Sequence, residues 1–188
     1  PVIMGSPQDL WKSRLRMENQ LVELLRSDIT LQNPVNEVGI TNFFSAYHGL
    51  NDKDIQVKLA RFYQRACPAL LYQAPHCQNS VRNKGMHQIK LGLISRFFRN
   101  HTMGKIMKGL IANLSRQQFH VHVFFLSPLE DEVSQFIQNY ADSFEILPLV
   151  LEEAHTRIAA QQLDILCYSD IGMEPFTYFL AFARLAPV

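Results

Sequence analysis

Residues 89–110 read IKLGLISRFFRNHTMGKIMKGL, and this stretch decides the fold because its hydrophobic period changes along its length. Residues 89–95 form a short, largely apolar run with the length of a buried strand. After Thr102, apolar residues recur at the three- and four-residue spacing of an amphipathic helix. Two arginines, an asparagine and a histidine lie between these segments. The stretch therefore predicts a buried strand, a polar loop and a helix.

The same alternation of strand and helix repeats three more times downstream. The predicted strands are FHVHVFFL (119–126), FEILPL (144–149) and LDILCY (163–168). Each is a mainly apolar run, which is typical of strands buried on both faces of a parallel sheet. We therefore predict an α/β fold with a Rossmann-like parallel sheet that is covered by helices on both sides.

Caps and apolar stripes locate the helices between these strands. Ser127, Pro128 and Glu130 match an N-cap, a first-turn proline and a capping-box glutamate, which predicts a helix from Ser127 to about residue 140. Further helices are predicted at 152–162 and near Pro175. The apolar stripe of the first helix is predicted to be Met103, Ile106, Met107, Leu110, Ile111 and Leu114, and that of the last Phe176, Phe179, Leu180 and Ala183.

Residues 1–85 differ in character and are predicted to be mainly helical. One helix is predicted over 9–26, with Leu10, Trp11, Leu15, Val22 and Leu25 near one face. A second is predicted over 54–66, ended by Pro68, with Ile55, Leu59, Phe62, Tyr63 and Ala66 on its apolar face. The polar stretch QNSVRNKG (78–85) predicts a linker, so we assign a helical segment to 1–85 and a Rossmann-like domain to 86–188.

Composition excludes several classes of protein. Hydrophobic residues make up 47% of the chain and charged residues 19%, which is typical of a globular protein rather than a disordered one. The formal charge of +1 favours neither nucleic acid nor an anionic membrane, and no apolar run has the length of a membrane span. Three cysteines without a CxxC pair predict reduced thiols in a cytoplasmic protein. Because the chain opens at Pro1, we expect a fragment of a longer protein.

Chemistry in such a fold is expected at the carboxyl ends of the strands, where open parallel sheets bind ligands. Two loops lie there, SRFFRNHTMG (95–104) after the first strand and SDIGMEP (169–175) after the fourth. Neither GxGxxG nor GxxxxGK[ST] is present, which argues against a dinucleotide-binding turn or a P-loop.

His101 in the first loop has two interpretations. An imidazole changes its protonation near neutral pH, so His101 can take a proton from an attacking hydroxyl group. Alternatively, it is a loop histidine that bonds to backbone. Two arginines beside Phe97 and Phe98 can bind RNA by phosphate contact and stacking, but the low net charge favours a solvated edge beside a buried aromatic pair.

The second loop carries Asp170 past the end of the fourth strand, whereas Asp164 stands at its start, away from the ligand edge. Gly172 allows a backbone to approach a ligand there. The alternative role for Asp170 is to cap the helix near Pro175. We predict no metal site, because the histidine pair His120 and His122 lacks a third ligand at a recognisable spacing, as does the pair His76 and Cys77.

Three segments resemble the SPINDLY and O-linked N-acetylglucosamine transferase family, which includes bacterial cytoplasmic N-glycosyltransferases. They are RFFRNHTMGKIM (96–107), FHVHVFFLSP (119–128) and LDILCYSDIGMEPFTYFLAFARLAPV (163–188). FFSAYHGLNDKDIQVKLARFY (43–63) resembles the helical piece that precedes the catalytic domain in bacterial members. The most specific residues are Asn100 and His101, together with the closing DIGM and RLAP.

The resemblance implies the first half of a GT-B core, which consists of two facing Rossmann-like halves. Family members transfer a sugar from a UDP-sugar to a protein Ser or Thr hydroxyl, or in the bacterial branch to an Asn amide. Transfer inverts the anomeric centre and needs no obligatory metal or cofactor. The implied partners are a UDP-sugar and a protein acceptor, without nucleic acid or membrane. The family's uridine-binding lysine and histidine lie in the second half, beyond Val188.

The resemblance also implies roles for individual residues. His101 matches the histidine at the junction of sugar and acceptor, which acts as a base or an orienting group, and Asn100 precedes it. Asp170, Gly172 and Met173 match the loop that faces donor sugar and acceptor. Met173 is a departure, because the animal-type enzymes have a threonine in this loop, and the DIGM form is similar to the bacterial branch.

Two functions therefore remain open from the sequence. In the first, the chain is half of a protein glycosyltransferase and is inactive alone because the UDP site is missing. In the second, it is a non-catalytic Rossmann-like module whose helical first part docks a partner.

Overall fold

The computed structural model describes residues 4–78 and 88–188. The chain divides into two structural units, Pro1–Leu71 and Tyr72–Val188. The boundary predicted near residue 85 and most of the linker predicted at 78–85 lie outside the described residues, so both stay predictions. Within the described ranges, no helix combines the length and the apolar character that a membrane crossing requires.

The first unit is helical. Its elements are α1 (Pro7–Arg26), α2 (Pro34–Val38) and α3 (Lys53–Ala66), with 3₁₀ turns at Phe43–His48 and Pro68–Leu71. The prediction for α3 is confirmed, since its buried residues are Ile55, Leu59, Phe62, Tyr63 and Ala66. Cys67 caps this helix immediately before Pro68, where the proline was expected to end it.

The predicted apolar face of α1 is wrong. Trp11 and Leu15 are 61% and 60% exposed, whereas Arg14 and Leu21 are buried. Arg14 is held by Asp52 in an ion pair, and its second terminal nitrogen donates to the carbonyl of Asn51 at 2.8 Å. Because Arg14 is buried with a specific partner, the packed face of α1 differs from the stripe that hydrophobic periodicity predicts. Periodicity alone does not reveal such a partner.

The second unit contains the sheet and confirms the predicted fold class. After a 3₁₀ turn at Pro75–Cys77, its elements are β1 (Ile89–Ser95), α4 (Thr102–Asn113), β2 (Phe119–Phe125), α5 (Glu132–Tyr140), β3 (Ser143–Ile146), α6 (Leu151–Ala160), β4 (Ile165–Tyr168) and α7 (Pro175–Leu180). In the part of the chain that the structure describes, the strands form one sheet in the order β3-β2-β1-β4, and all pairs are parallel.

One face of the sheet packs on α4 and α5. Alternate residues of β1 and β2 point to it, so that Leu93 lies beside Val123. These side chains form a core with Met107 and Ile111 of α4 and with Ile137 of α5. Phe98, which follows β1, is fully buried in the same core. It is therefore a packing residue and is not available to stack on a nucleic-acid base.

The opposite face packs on α6 and α7. Lys90 on β1 donates through Nζ to the carbonyl of Gln161 at the end of α6. Arg157 of α6 is paired with Glu145 of β3 at 3.2 Å. The hydroxyl of Tyr168 on β4 lies 3.4 Å from the carbonyl of Leu180 in α7. The sheet is thus covered on both sides, as predicted, and β1 is an inner strand.

Two details of the predicted helices are wrong. The N-cap of α5 is Asp131 rather than Ser127, because Asp131 and Ser134 form the capping box. The hydroxyl of Ser127 instead accepts the N–H of Leu129 at 3.2 Å in a local turn. In α4, Ile106 and Leu110 of the predicted stripe are 60% and 47% exposed, because the packed face of the helix is formed by its glycine at position 104 together with Met107 and Ile111.

Candidate functional site

The order of the strands places the ends of β1 and β4 side by side. The chain runs from β1 outward to β2 and β3, then returns to place β4 on the other side of β1. The β1–α4 loop (residues 96–101) and the β4–α7 loop (residues 169–174) therefore start next to each other at the carboxyl edge of the sheet. Crevices of this kind bind ligands in open α/β sheets.

Asp170 joins the two loops. Its Oδ2 accepts the hydroxyl of Ser95 at 3.1 Å and the backbone N–H of Arg96 at 3.0 Å. Asp170 is only 1% exposed, so its side chain points beneath the loops rather than into solvent. Ser95 was not singled out from the sequence, because it lies 75 positions away from its partner and only the sheet pairing brings them together.

The charge of Asp170 is costly in this position. Burial raises its pKa to about 6, the hydrogen bonds from Arg96 and Ser95 lower it in part, and the negative charge of Glu174 raises it. Glu174 is itself buried and lies 3.8 Å from the guanidinium of Arg96. Two carboxylates and one arginine thus meet at the junction of the two loops.

The alternative role of Asp170 as a helix cap is wrong, since Glu174 caps α7. Its carboxylate accepts the backbone N–H groups of Phe176 at 2.8 Å and Thr177 at 2.5 Å. An acidic residue directly before Pro175 at the start of an apolar helix was the signal that could have identified this cap. The carboxylate of Asp170 therefore does not cap α7 and bonds to the start of the β1–α4 loop instead.

His101 is the N-cap of α4. Its Nδ1 accepts the backbone N–H of Met103 at 3.3 Å, and its ring stacks on Phe97 with centroids 4.5 Å apart and an angle of 26°. The side chain is partly exposed at the edge. Because Nδ1 is an acceptor, the neutral imidazole carries its proton on Nε2, and this nitrogen is a hydrogen-bond donor.

Asn100 is exposed beside His101, and its backbone holds the tip of the loop. Its N–H donates to Oδ2 of Asp131 at 2.5 Å. The other oxygen of Asp131 accepts the N–H groups of Val133 at 2.9 Å and Ser134 at 3.0 Å at the start of α5. Burial raises the pKa of Asp131, but these backbone hydrogen bonds and the positive charge of Arg99 lower it below its ordinary value.

Replacing Asp131 by alanine is expected to lower the free energy of unfolding by about 1–2 kcal/mol, because a helix cap is lost. The amide of Asn100 loses its partner at the same time, so its hydrogen exchange is expected to accelerate. Chemical denaturation and amide exchange measure both effects. The matched control is Glu130→Ala at an exposed neighbouring position, which is expected to change stability by less than about 0.5 kcal/mol. Equal effects of the two substitutions would contradict this prediction.

Gly172 and Met173 form the exposed turn of the β4–α7 loop. The N–H of Met173 donates to the carbonyl of Asp170 at 3.0 Å, and Gly172 has φ of 83°, a left-handed value at the third position of the turn. Ile171 is 52% and Met173 is 38% exposed. The edge therefore presents two apolar side chains opposite the partly exposed His101 loop.

The other residues noted in the sequence lie toward the amino end of the strands. Asp164 accepts the N–H of Lys90 at 2.9 Å at the start of β1. The rings of His120 and His122 lie 4.6 Å apart on β2, and burial, His120 and Lys90 lower the pKa of His122 to about 4. In the ranges 4–78 and 88–188, no three His, Cys, Asp or Glu side chains lie close enough together to hold a metal ion.

The other pair of interest contains His76 and Cys77. Nε2 of His76 lies 3.2 Å from the carbonyl of Leu163 and 3.6 Å from the thiol of Cys77. Because a carbonyl can only accept, Nε2 carries the proton in that contact and is not a base toward the thiol. Burial raises the pKa of Cys77. The structure therefore separates both histidine pairs from the carboxyl edge.

The second unit as a whole is a Rossmann-like parallel α/β fold, and a solved structure is similar to the chain in fold. The chain is similar to a mutant of the O-GlcNAc transferase of Thermobaculum terrenum, with a TM-score of 0.60 and 18% sequence identity. The likeness covers 92% of this chain but 29% of that one, so the chain spans less than a third of its structural relative. At this identity the likeness establishes the fold alone.

Sequence comparison adds no closer relationship. No protein-family profile matches the chain, and no curated protein matches it. Functional conclusions for this protein therefore rest on the geometry of the carboxyl edge together with the shared fold.

Proposed function

We propose that this chain is the first half of a UDP-sugar-dependent, inverting protein glycosyltransferase, and that its carboxyl edge faces the acceptor. The observation that carries the proposal is His101, which caps α4 at this edge with its ring partly exposed and Nε2 available. The fold shared with an O-GlcNAc transferase and the RNH and DIGM residues support it. The donor sugar is GlcNAc or a hexose, and the acceptor is a Ser or Thr hydroxyl or an Asn amide.

In this proposal the acceptor atom attacks the anomeric carbon while the bond from that carbon to UDP breaks, and UDP leaves with the electron pair. A neutral His101 donates through Nε2, so it orients an oxygen of the sugar or of the acceptor. The proton of the acceptor passes to the departing diphosphate of UDP, which leaves with the extra electron pair. Asn100, Gly172 and Met173 border the same crevice. Positioning of this kind supplies a large share of the rate in group transfer.

The proposal includes the compartment and the second half. Cys67, Cys77 and Cys167 are free thiols, which supports a cytoplasmic location. The residues that bind uridine are proposed to belong to the second half, with no metal or cofactor required. We therefore expect residues 1–188 alone to show no turnover of UDP-sugars. Turnover by this isolated chain would contradict its assignment as one half.

Variants of His101 in the protein that carries both halves test its role. His101→Asn retains a helix cap, but its shorter side chain does not bring its amide donor to the position of Nε2, so kcat/KM is expected to fall by about 100-fold or more while α4 stays folded. His101→Gln restores a donor of similar reach and is expected to retain turnover to within about tenfold. The readouts are steady-state kinetics over pH and circular dichroism.

The outcomes of this experiment separate the alternatives. If His101→Gln is as slow as a third variant, His101→Ala, a donor alone is not sufficient at this position and His101 acts as a base. If all three variants transfer sugar at the unchanged rate, it has no catalytic role. If the protein with both halves binds neither UDP nor any UDP-sugar in calorimetry, the interaction module is the better assignment.

A further inference from the structure

The buried carboxylate of Asp170 has a continuous path of contacts to His101. Oδ2 of Asp170 accepts the hydroxyl of Ser95 and the N–H of Arg96. The oxygen of Ser95 in turn accepts the N–H of Phe97 at 2.8 Å. The ring of Phe97 stacks on that of His101 at 4.5 Å. Three consecutive residues of the chain are thus fixed by one carboxylate, and the last of them supports the imidazole.

The two oxygens of this carboxylate are in different situations. Oδ2 accepts two hydrogen bonds, whereas Oδ1 is buried and has no hydrogen-bond partner among the residues that the structure describes. A proton that binds to Asp170 therefore goes to Oδ1, where it displaces no existing contact. Protonation makes Oδ2 a neutral acceptor, and hydrogen bonds to neutral acceptors are weaker than those to ionised ones.

We propose that Asp170 is a positioning residue whose ionised carboxylate holds the β1–α4 loop, and with it His101, in place, and whose protonation loosens this hold. The positioning of the loop is argued from the hydrogen bonds that Ser95 and Arg96 donate to Asp170. Only its consequence for sugar transfer rests on the proposed function. It goes beyond the role of a substrate contact for Asp170, since the side chain is buried under the loop.

The burial and the charged neighbours of Asp170 set the pH range in which its carboxylate takes up a proton. Burial raises the pKa of Asp170 to about 6, and Glu174 at the start of α7 adds to the effect. The guanidinium of Arg96 on the β1–α4 loop lies 3.8 Å from Glu174. The carboxylate is therefore mostly ionised at pH 7 and mostly protonated at pH 5.

NMR titration of the backbone amides in the 188-residue chain tests the proposal. The amide proton of Arg96 is expected to shift upfield on acidification with an inflection near pH 6, and that of Phe97 is expected to follow it. Asp170→Asn is expected to abolish the inflection at Arg96 and Phe97, because the side chain no longer titrates.

Two further variants keep the test decisive. Ser95→Ala removes one of the two donors to Oδ2, which is expected to raise the inflection by about half a pH unit even if Asp170→Asn does not fold. Asp164→Asn is the matched control, because Asp164 makes the same carboxylate-to-backbone contact at the opposite end of β1. It is expected to leave the inflection of Arg96 unchanged. An Arg96 amide without an inflection between pH 5 and 7, or one that persists in Asp170→Asn, overturns the proposal.

Kinetics in the two-half protein distinguish this proposal from the proposed function. If the Arg96 inflection is present but no sugar is transferred, the proposed function fails and the positioning role stands. If sugar is transferred, kcat is expected to decline below about pH 6 in the wild type and to lose this decline in Asp170→Asn. Transfer with the same pH profile in both proteins contradicts the positioning role alone.

Discussion

Replacing Gly104 by alanine is expected to destabilise the second unit by about 3 kcal/mol, because the new methyl group has no space. A Cβ at this position would lie 2.1 Å from the carbonyl oxygen of Arg99 and 2.8 Å from the carbonyl oxygen of Phe97. Both contacts are with backbone, so no side-chain rotation relieves them. Either α4 or the β1–α4 loop must move, and His101 moves with it.

The matched control lies in the same helix. At Gly109 an added Cβ meets nothing within 4 Å, so Gly109→Ala is expected to stabilise α4 by about 0.5–1 kcal/mol. Since the single tryptophan, Trp11, lies in the first unit, unfolding is best followed by the methyl NMR signals of Ile111 and Ile137 in urea. Equal stability of the two alanine variants would show that the loop accommodates the methyl group.

The second large effect expected is a loss of stability on acidification, caused by buried histidines. His155 in α6 is 4% exposed and stacks on Tyr72 with centroids 4.9 Å apart. Burial lowers its pKa to about 4, as burial and its neighbours do for His122. The unfolded chain binds protons at these groups below its pKa of about 6.5, whereas the folded chain does so only near pH 4. The contribution of these two histidines to the free energy of unfolding is therefore fully present above about pH 6.5 and is lost as the pH falls toward about 4.

Asp170 acts in the opposite direction. Its folded pKa of about 6 lies above the ordinary value, so the folded chain binds a proton between pH 6 and 4 that the unfolded chain does not. Acidification therefore favours folding at this one group. The two histidines together change the free energy of unfolding more than the single carboxyl group does. The free energy of unfolding is therefore expected to fall by about 2–3 kcal/mol between pH 7 and pH 5.

Urea denaturation at the two pH values measures this loss. His155→Phe preserves the stack on Tyr72 but cannot titrate, so the loss is expected to shrink to about 0.5 kcal/mol. Tyr72→Phe leaves His155 in place and is expected to retain the full dependence. If His155→Phe loses as much stability as the wild type between pH 7 and pH 5, the histidine is not the cause.

The order of strands and helices in the second unit could be predicted because each strand is a short, mainly apolar run between helical segments. Such runs are typical of parallel strands and can be identified from the local sequence. The face of α1 could not be predicted in the same way. Arg14 is buried there by a carboxylate 38 positions away, and a hydrophobic period contains no information on such a partner.

The site was predictable only in part for the same physical reason. The local sequence predicted that His101 lies between a strand and a helix, but not that it caps α4, because histidine is not a preferred N-cap residue. The start of α5 was misplaced because Ser127 and Asp131 both match a cap, and the capping box of Asp131 with Ser134 prevailed. The role of Asp170 depends on Ser95, and the sheet register alone brings these two together.

Backbone N–H groups donate the hydrogen bonds that hold the β1–α4 loop in place. These are the N–H groups of Arg96, Phe97, Asn100 and Met103. Every residue except proline supplies such a donor, so the side chains at positions 96, 97, 100 and 103 can be exchanged without removing these hydrogen bonds. Randomising these positions is thus expected to change the side chains that the loop presents while its backbone hydrogen bonds remain. At position 97 it also removes the ring that stacks on His101.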